Sequence, residues 1–162
     1  MIKARPMSDE EIRITPNVLF KSFLLVAGAY VASWVLLFLV ANIAFPETIA
    51  IITGEPAEYR RILETEPERI YPEHFFWSLL IVGAAICFGL GGLVARLAPI
   101  SSFSHVILFA MILFAQYLQL AIGADSSIRG KLILFMAVMP IAALLGANMF
   151  FSKSSHQTAD QT

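Results

Sequence analysis

The chain has little charge and almost no cysteine, and each shortage excludes a class of function. Only 14% of its 162 residues are charged, against about a quarter in soluble domains, while 58% are hydrophobic. The formal net charge is −1, and no dense basic patch points to a nucleic-acid partner. Cys87 is the single cysteine, so an internal disulfide is excluded, and no Cys/His spacing indicates a zinc site.

Four long segments contain almost no charge, and none of them contains Asp or Glu. They run over about 22–45, 75–95, 103–122 and 132–151. Each has the roughly 20 apolar residues that a helix needs to cross the hydrocarbon core. Transmembrane barrel strands are about half as long and alternate in polarity. The sequence therefore predicts an all-α protein with four transmembrane helices. The connections at 96–102 and 123–131 are short, which predicts an up-down-up-down antiparallel bundle.

The first apolar segment follows several basic residues, as a secretory signal peptide does. Its length exceeds the 7–15 apolar residues of a signal peptide, and no small-residue cleavage site closes it. An uncleaved anchor is the better interpretation.

Orientation follows from the basic residues that flank the spans. Four spans put both termini on one side of the membrane. That side has six basic residues: Lys3, Arg5, Arg13, Lys21, Arg96 and Lys153. The other side has five: Arg60, Arg61, Arg69, Arg129 and Lys131. The positive-inside rule then favours cytoplasmic termini, including the N-terminal segment 1–21, in a cell-membrane protein.

The longest connection, 46–73, is acidic and is expected to lie outside the membrane. Within it, Pro56 starts and Pro67 stops a stretch with Tyr59, Ile62 and Leu63 on one helical face. This pattern predicts a short amphipathic helix that rests on the membrane surface or caps the bundle. A lid or a docking site for a partner is the alternative. The polar tail 152–162 is predicted to be disordered.

Small residues recur at helical spacing in the first two spans, as is typical of helix packing in membranes. We expect the two spans to touch along these faces. In the second span they form two adjacent stripes: Gly83, Cys87, Gly91 and Ala95 in one, and Ala85, Gly89 and Gly92 in the other. In the first span they form two pairs four residues apart: Gly28 with Ala32, and Ala29 with Ser33.

Polar side chains inside the spans fall at two depths. Asn42, Gln116 and Gln119 lie towards the long connection, and His105, Asn148 and Arg96 lie towards the termini. Both layers are predicted to hydrogen-bond between helices; a polar path for a ligand or solute is the alternative. Arg96 is expected to extend to the headgroups, where it either anchors the helix or binds a lipid phosphate.

No residue pattern in the chain indicates catalysis, a cofactor or a metal. An embedded carboxylate for proton coupling, a cysteine pair and ligands for haem or iron–sulfur clusters are all missing from the spans. The sequence thus predicts a non-enzyme. It favours an accessory, assembly or interaction subunit that contacts membrane lipids and either a membrane-protein partner or further copies of itself. The alternative is an oligomeric passive channel for a small uncharged solute, lined by Gln116, Gln119 and Asn42.

Overall fold

The computed structural model of the protein describes residues 16–70, 72–99, 101–124 and 126–159, and these residues form helices with no strand among them. Four helices are long and apolar enough to span a membrane, which confirms the predicted all-α, four-span architecture. In chain order the helices are α1 (Pro16–Ala44), α2 (Pro46–Thr53), α3 (Pro56–Thr65), α4 (Pro67–Ile70), α5 (Glu73–Leu97), α6 (Ser102–Gly123) and α7 (Ser126–Ala159).

Proline starts each of the first four helices. Pro16, Pro46, Pro56 and Pro67 stand at the first position of α1, α2, α3 and α4, where a missing N–H costs no intrahelical hydrogen bond. As a result α1 begins six positions earlier than the apolar pattern predicts. The structure also contains α2 and α4, in parts of the connection 46–73 for which the sequence predicts no helix. α6 instead begins with Ser101 as its cap, whose side chain accepts a hydrogen bond from the Ser104 amide.

Around the axis of the bundle, neighbouring spans follow one another in the order α1, α5, α7, α6. The most extensive contact joins α5 to α7, and the next joins α6 to α7. α5 and α7 are the second and fourth spans, so they run in the same direction. The order of two contacts along both helices fits this direction: the residues around Gly83 lie near Met139, and those around Gly91 lie near Ala143. The strongest contact is therefore between helices that are not neighbours in the sequence.

α1 is the peripheral member of the bundle. Only 17% of its most apolar window is buried, against 44% for α5. α1 packs on α5 and α6, on the side away from α7. Its buried side chains are few: Val26, Ala29, Ser33 and Ala41.

α2, α3 and α4 pack on one another and form a small cap at one end of the bundle. Each contributes one buried isoleucine: Ile49, Ile62 and Ile70. α3 occupies the stretch for which the sequence predicts a short amphipathic helix, and its Ile62 turns inward rather than onto a membrane surface. The cap's ion pairs, Arg61 with Glu58 and Arg69 with Glu66, are exposed and contribute little. Burial of these apolar side chains therefore stabilises the cap more than its ion pairs do.

α7 continues beyond its membrane-spanning part, Ile128–Met149. Its backbone passes Pro140 without interruption and stays helical to Ala159. Residues 152–159 of the tail predicted to be disordered are thus helical, and 160–162 lie outside the described residues. Neither Gly nor Pro occurs between positions 147 and 159, and extending an existing helix needs no new nucleation.

Candidate functional site

In α5, the stripe of small residues that includes Gly91 faces the inside of the bundle, and this inward stripe packs directly on the backbone of α7. A Cβ added to Gly91 would overlap the carbonyl oxygen of Ala143 and lie 2.7 Å from its Cα. A Cβ added to Gly146 would likewise overlap the carbonyl oxygen of Phe88. Each glycine thus contacts the main chain of the other helix. Glycine is the only residue that fits at these two positions.

The small-residue stripe of α5 contacts a second helix, α7, besides the expected α1. The sequence predicts that the first two spans meet along Gly83, Cys87 and Gly91, but the structure places Gly91 against α7. The reason is that the fourth span has a small face of its own, so two backbones can approach closely. That face consists of Ala142, Ala143, Gly146 and Ala147. α1 also packs on α5: Leu37 Cδ1 lies 3.6 Å from a Cβ built on Gly83, and Ser33 and Cys87 line the same cavity.

Other small residues singled out from the sequence face away from the bundle. Gly28 in α1 and Gly89 in α5 are exposed, and a Cβ on either would meet no atom within 4 Å. Ala32 is half-buried and Gly92 is buried. Arg96 is exposed in the last turn of α5.

The polar residues near the long connection do not form one layer. Tyr30 Oη donates to Gln116 Oε1 at 2.9 Å and joins α1 to α6. Asn42 Nδ2 donates to the carbonyl of Phe38 in its own helix. Gln119 is exposed. Of the three predicted residues, Gln116 alone makes an interhelical hydrogen bond among the described residues.

The polar residues at the other end are also separate. His105 is buried, and its Nδ1 lies 2.7 Å from the carbonyl oxygen of Ser101. Because a carbonyl only accepts, Nδ1 carries the proton in this bond. Asn148 and Arg96 are exposed. His105 is thus engaged in closing the first turn of α6.

Aromatic rings and large apolar side chains fill the centre of the bundle. The Trp34 ring stacks on Tyr117 at 6.0 Å between centroids, and Tyr117 contacts Phe135 at 5.6 Å. Beside them a cavity of about 10 Å³ lies between all four spans, next to Ser33 and Cys87. That volume is at the lower limit for a single water molecule. Among the residues that the structure describes, the centre between the four spans is therefore closely packed.

A much larger recess lies at the side of the bundle, between α1 and α6. Its volume is about 470 Å³, and it opens towards the surroundings of the bundle. Its floor carries the hydrogen bond between Tyr30 and Gln116. Aliphatic and aromatic side chains form the rest of the lining: Val31, Trp34, Val35 and Leu120.

The sequence reading missed three residues of these sites. Gly146 was detectable, since it continues a small-residue pattern with Ala142 like the pattern recognised in the second span. Tyr30 and Trp34 had no such signal, because a single aromatic residue in an apolar helix is common in packing positions. Their roles depend on α1 lying beside α6, and spacing within one helix does not indicate its neighbour.

Comparison with known proteins finds no match: no family model, no curated protein and no solved structure is significantly similar to this chain. Among the side chains that the structure describes, no three His, Cys, Asp or Glu residues are grouped so that they could hold a metal ion.

Proposed function

We propose that this multi-pass membrane protein is non-catalytic and acts by binding a second membrane-embedded helix, from a partner protein or from another copy. The observation that supports this is the outward glycine of α5. Gly89 lies in the middle of a spanning helix, is exposed, and has no neighbour within 4 Å of its Cβ position.

A glycine facing lipid needs an explanation. In a helix it costs roughly 0.5–1 kcal/mol relative to alanine, and lipid tails gain nothing from its small size. A neighbouring helix does gain packing contacts, because small residues let two backbones approach closely. Gly91 already serves this purpose towards α7. One turn before Gly89, Ala85 is also small and exposed, so the outer face of α5 repeats the pattern that its inner face uses.

Replacing Gly89 by leucine is expected to weaken this association at least tenfold, because the larger side chain would hold the incoming helix away. Ala137→Leu is the matched control, since Ala137 is also an exposed small residue on a spanning helix. The measurement is cross-linking in native membranes from a photoreactive residue that replaces exposed Ile81, one turn before Ala85, with exposed position 141 as the reference. Equal cross-linking from both positions, or an unchanged yield with Gly89→Leu, would contradict the proposal.

A passive channel is the competing function. A path through one protomer receives no support from the packed centre, and Asn42 and Gln119 are not among the residues that line the recess at Gln116. We therefore expect liposomes containing the protein to show no flux of water, glycerol or small ions above that of empty liposomes. A flux that Gln116→Leu alters would favour the channel, with its path between protomers.

We also propose a location in the cell membrane with cytoplasmic termini, which puts the cap of α2–α4 outside. The basic residues described from the sequence support this orientation. Trypsin added to intact cells should then reach Arg60 and Arg61 and leave Lys21 uncut. Protection of the cap in intact cells would reverse the orientation.

A further inference from the structure

We infer that the recess between α1 and α6 is a binding site for a neutral, membrane-soluble ring compound with a carbonyl oxygen, held by Gln116. This site goes beyond the proposed association through α5 and does not depend on it. Six residues line the recess: Tyr30, Val31, Trp34, Val35, Gln116 and Leu120.

The polar atoms on the floor of the recess leave a hydrogen-bond donor unused. Tyr30 Oη donates its proton to Gln116 Oε1, which leaves the two N–H groups of Gln116 Nε2. Among the described residues, the one side-chain hydrogen bond of Gln116 is the one at Oε1, and Nε2 donates to no protein acceptor. An amide in hydrocarbon without a partner is costly, since no water is available to replace it. The side chain therefore favours an incoming acceptor oxygen.

The depth of Gln116 indicates the kind of molecule that brings this oxygen. The helix rises about 10 Å between Gln116 and Gly123, where α6 ends. Phospholipid carbonyls lie near the membrane–water interface, and acyl chains contain no acceptor at this depth. The oxygen must belong to a molecule that dissolves within the hydrocarbon layer. A carbonyl on a largely apolar body meets this requirement.

The walls of the recess favour a flat ring. Tyr30 and Trp34 present aromatic surfaces, and stacking on Tyr117 holds the Trp34 ring in place. Valine and leucine side chains complete the walls. The recess is open along one side and has a volume of about 470 Å³, and its lining combines apolar walls with a few polar groups, as is typical of small-molecule sites.

Menadione, a small ring diketone that quenches tryptophan fluorescence, is a suitable probe. The chain has two tryptophans, and Trp77→Phe leaves Trp34 as the only one. The full-length Trp77→Phe protein in phosphatidylcholine nanodiscs should show saturable quenching. Gln116→Leu in that background should raise the apparent Kd roughly tenfold, because it removes the donor and keeps the size. Gln119→Leu, an exposed glutamine on the same helix, should leave the curve unchanged.

Competition tests the carbonyl itself. The ketone 1-tetralone should reverse the quenching, and the related hydrocarbon tetralin, which lacks the carbonyl, should require about a tenfold higher concentration to do so. Slow alkylation of buried Cys87 in every variant verifies that the bundle is intact. Quenching that rises linearly with menadione, equal curves for Gln116→Leu and its parent, or equal competition by tetralin would each overturn the site.

Discussion

Replacing Gly91 by leucine is expected to prevent assembly of the four spans. A Cβ alone at this position would overlap the Ala143 backbone, so α5 and α7 would have to separate along their whole contact. This is the most extensive contact between helices in the structure. We expect a destabilisation of more than about 3 kcal/mol, the upper end for overpacking in a core.

The alkylation rate of Cys87 measures this loss of packing directly. It is the only cysteine, its exposed fraction is 3%, and it lies one turn from Gly91 on the inward stripe. Alkylation by a membrane-permeant maleimide should be slow in the parent and fast in Gly91→Leu. Gly89→Leu is the matched control: the same substitution two residues away, on the outer face, should leave Cys87 protected. Slow alkylation of both variants would show that α5 and α7 do not contact as described.

Replacing Ile62 by alanine is expected to open the cap of α2–α4. Ile62 is 4% exposed and is the buried isoleucine of α3, beside Ile49 in α2 and Ile70 in α4. Truncating a buried isoleucine to alanine costs about 2–5 kcal/mol. Because cleavage follows the population of the open form, trypsin should cut at Arg60 and Arg61 at least about 30-fold faster. The rate is measured by mass spectrometry of the detergent-solubilised protein.

Ile52→Ala provides the control for the cap, since it makes the same change at a position that is 38% exposed in α2. It should alter cleavage by less than about threefold. If Ile62→Ala and Ile52→Ala were cleaved at the same rate, the cap would not depend on its buried isoleucines, and α3 would have to be held by other contacts.

The four spans were predictable because one property, a long apolar segment without charge, determines whether a helix can cross the membrane. Hydrocarbon requires about 20 apolar residues without charge, and the sequence contains four such segments. The ends of the helices were less predictable. α1 starts at Pro16 and α7 continues to Ala159, because a helix does not have to stop where its apolar stretch ends.

The pairing of the spans could not be read from the sequence, although the packing faces could. Helical periodicity identified the stripe with Gly83, Cys87 and Gly91, and all three are buried. It did not identify α7 as the partner, because small residues on several helices satisfy the same packing rule. The same limit applies to Gln116: its depth followed from its position in α6, whereas its bond to Tyr30 depends on which helix lies alongside.

The pairing of α5 with α7 has a consequence for biosynthesis. A ribosome delivers the spans to the membrane from the N-terminus onwards, so α1, α5 and α6 enter the bilayer before the partner of α5 has been made. α1 enters first, although it buries the least. Until α7 arrives, α5 has only its smaller contacts with α1 and α6. Only the arrival of α7 completes the bundle, and a chain truncated before position 143 would lack the surface on which its second span closes.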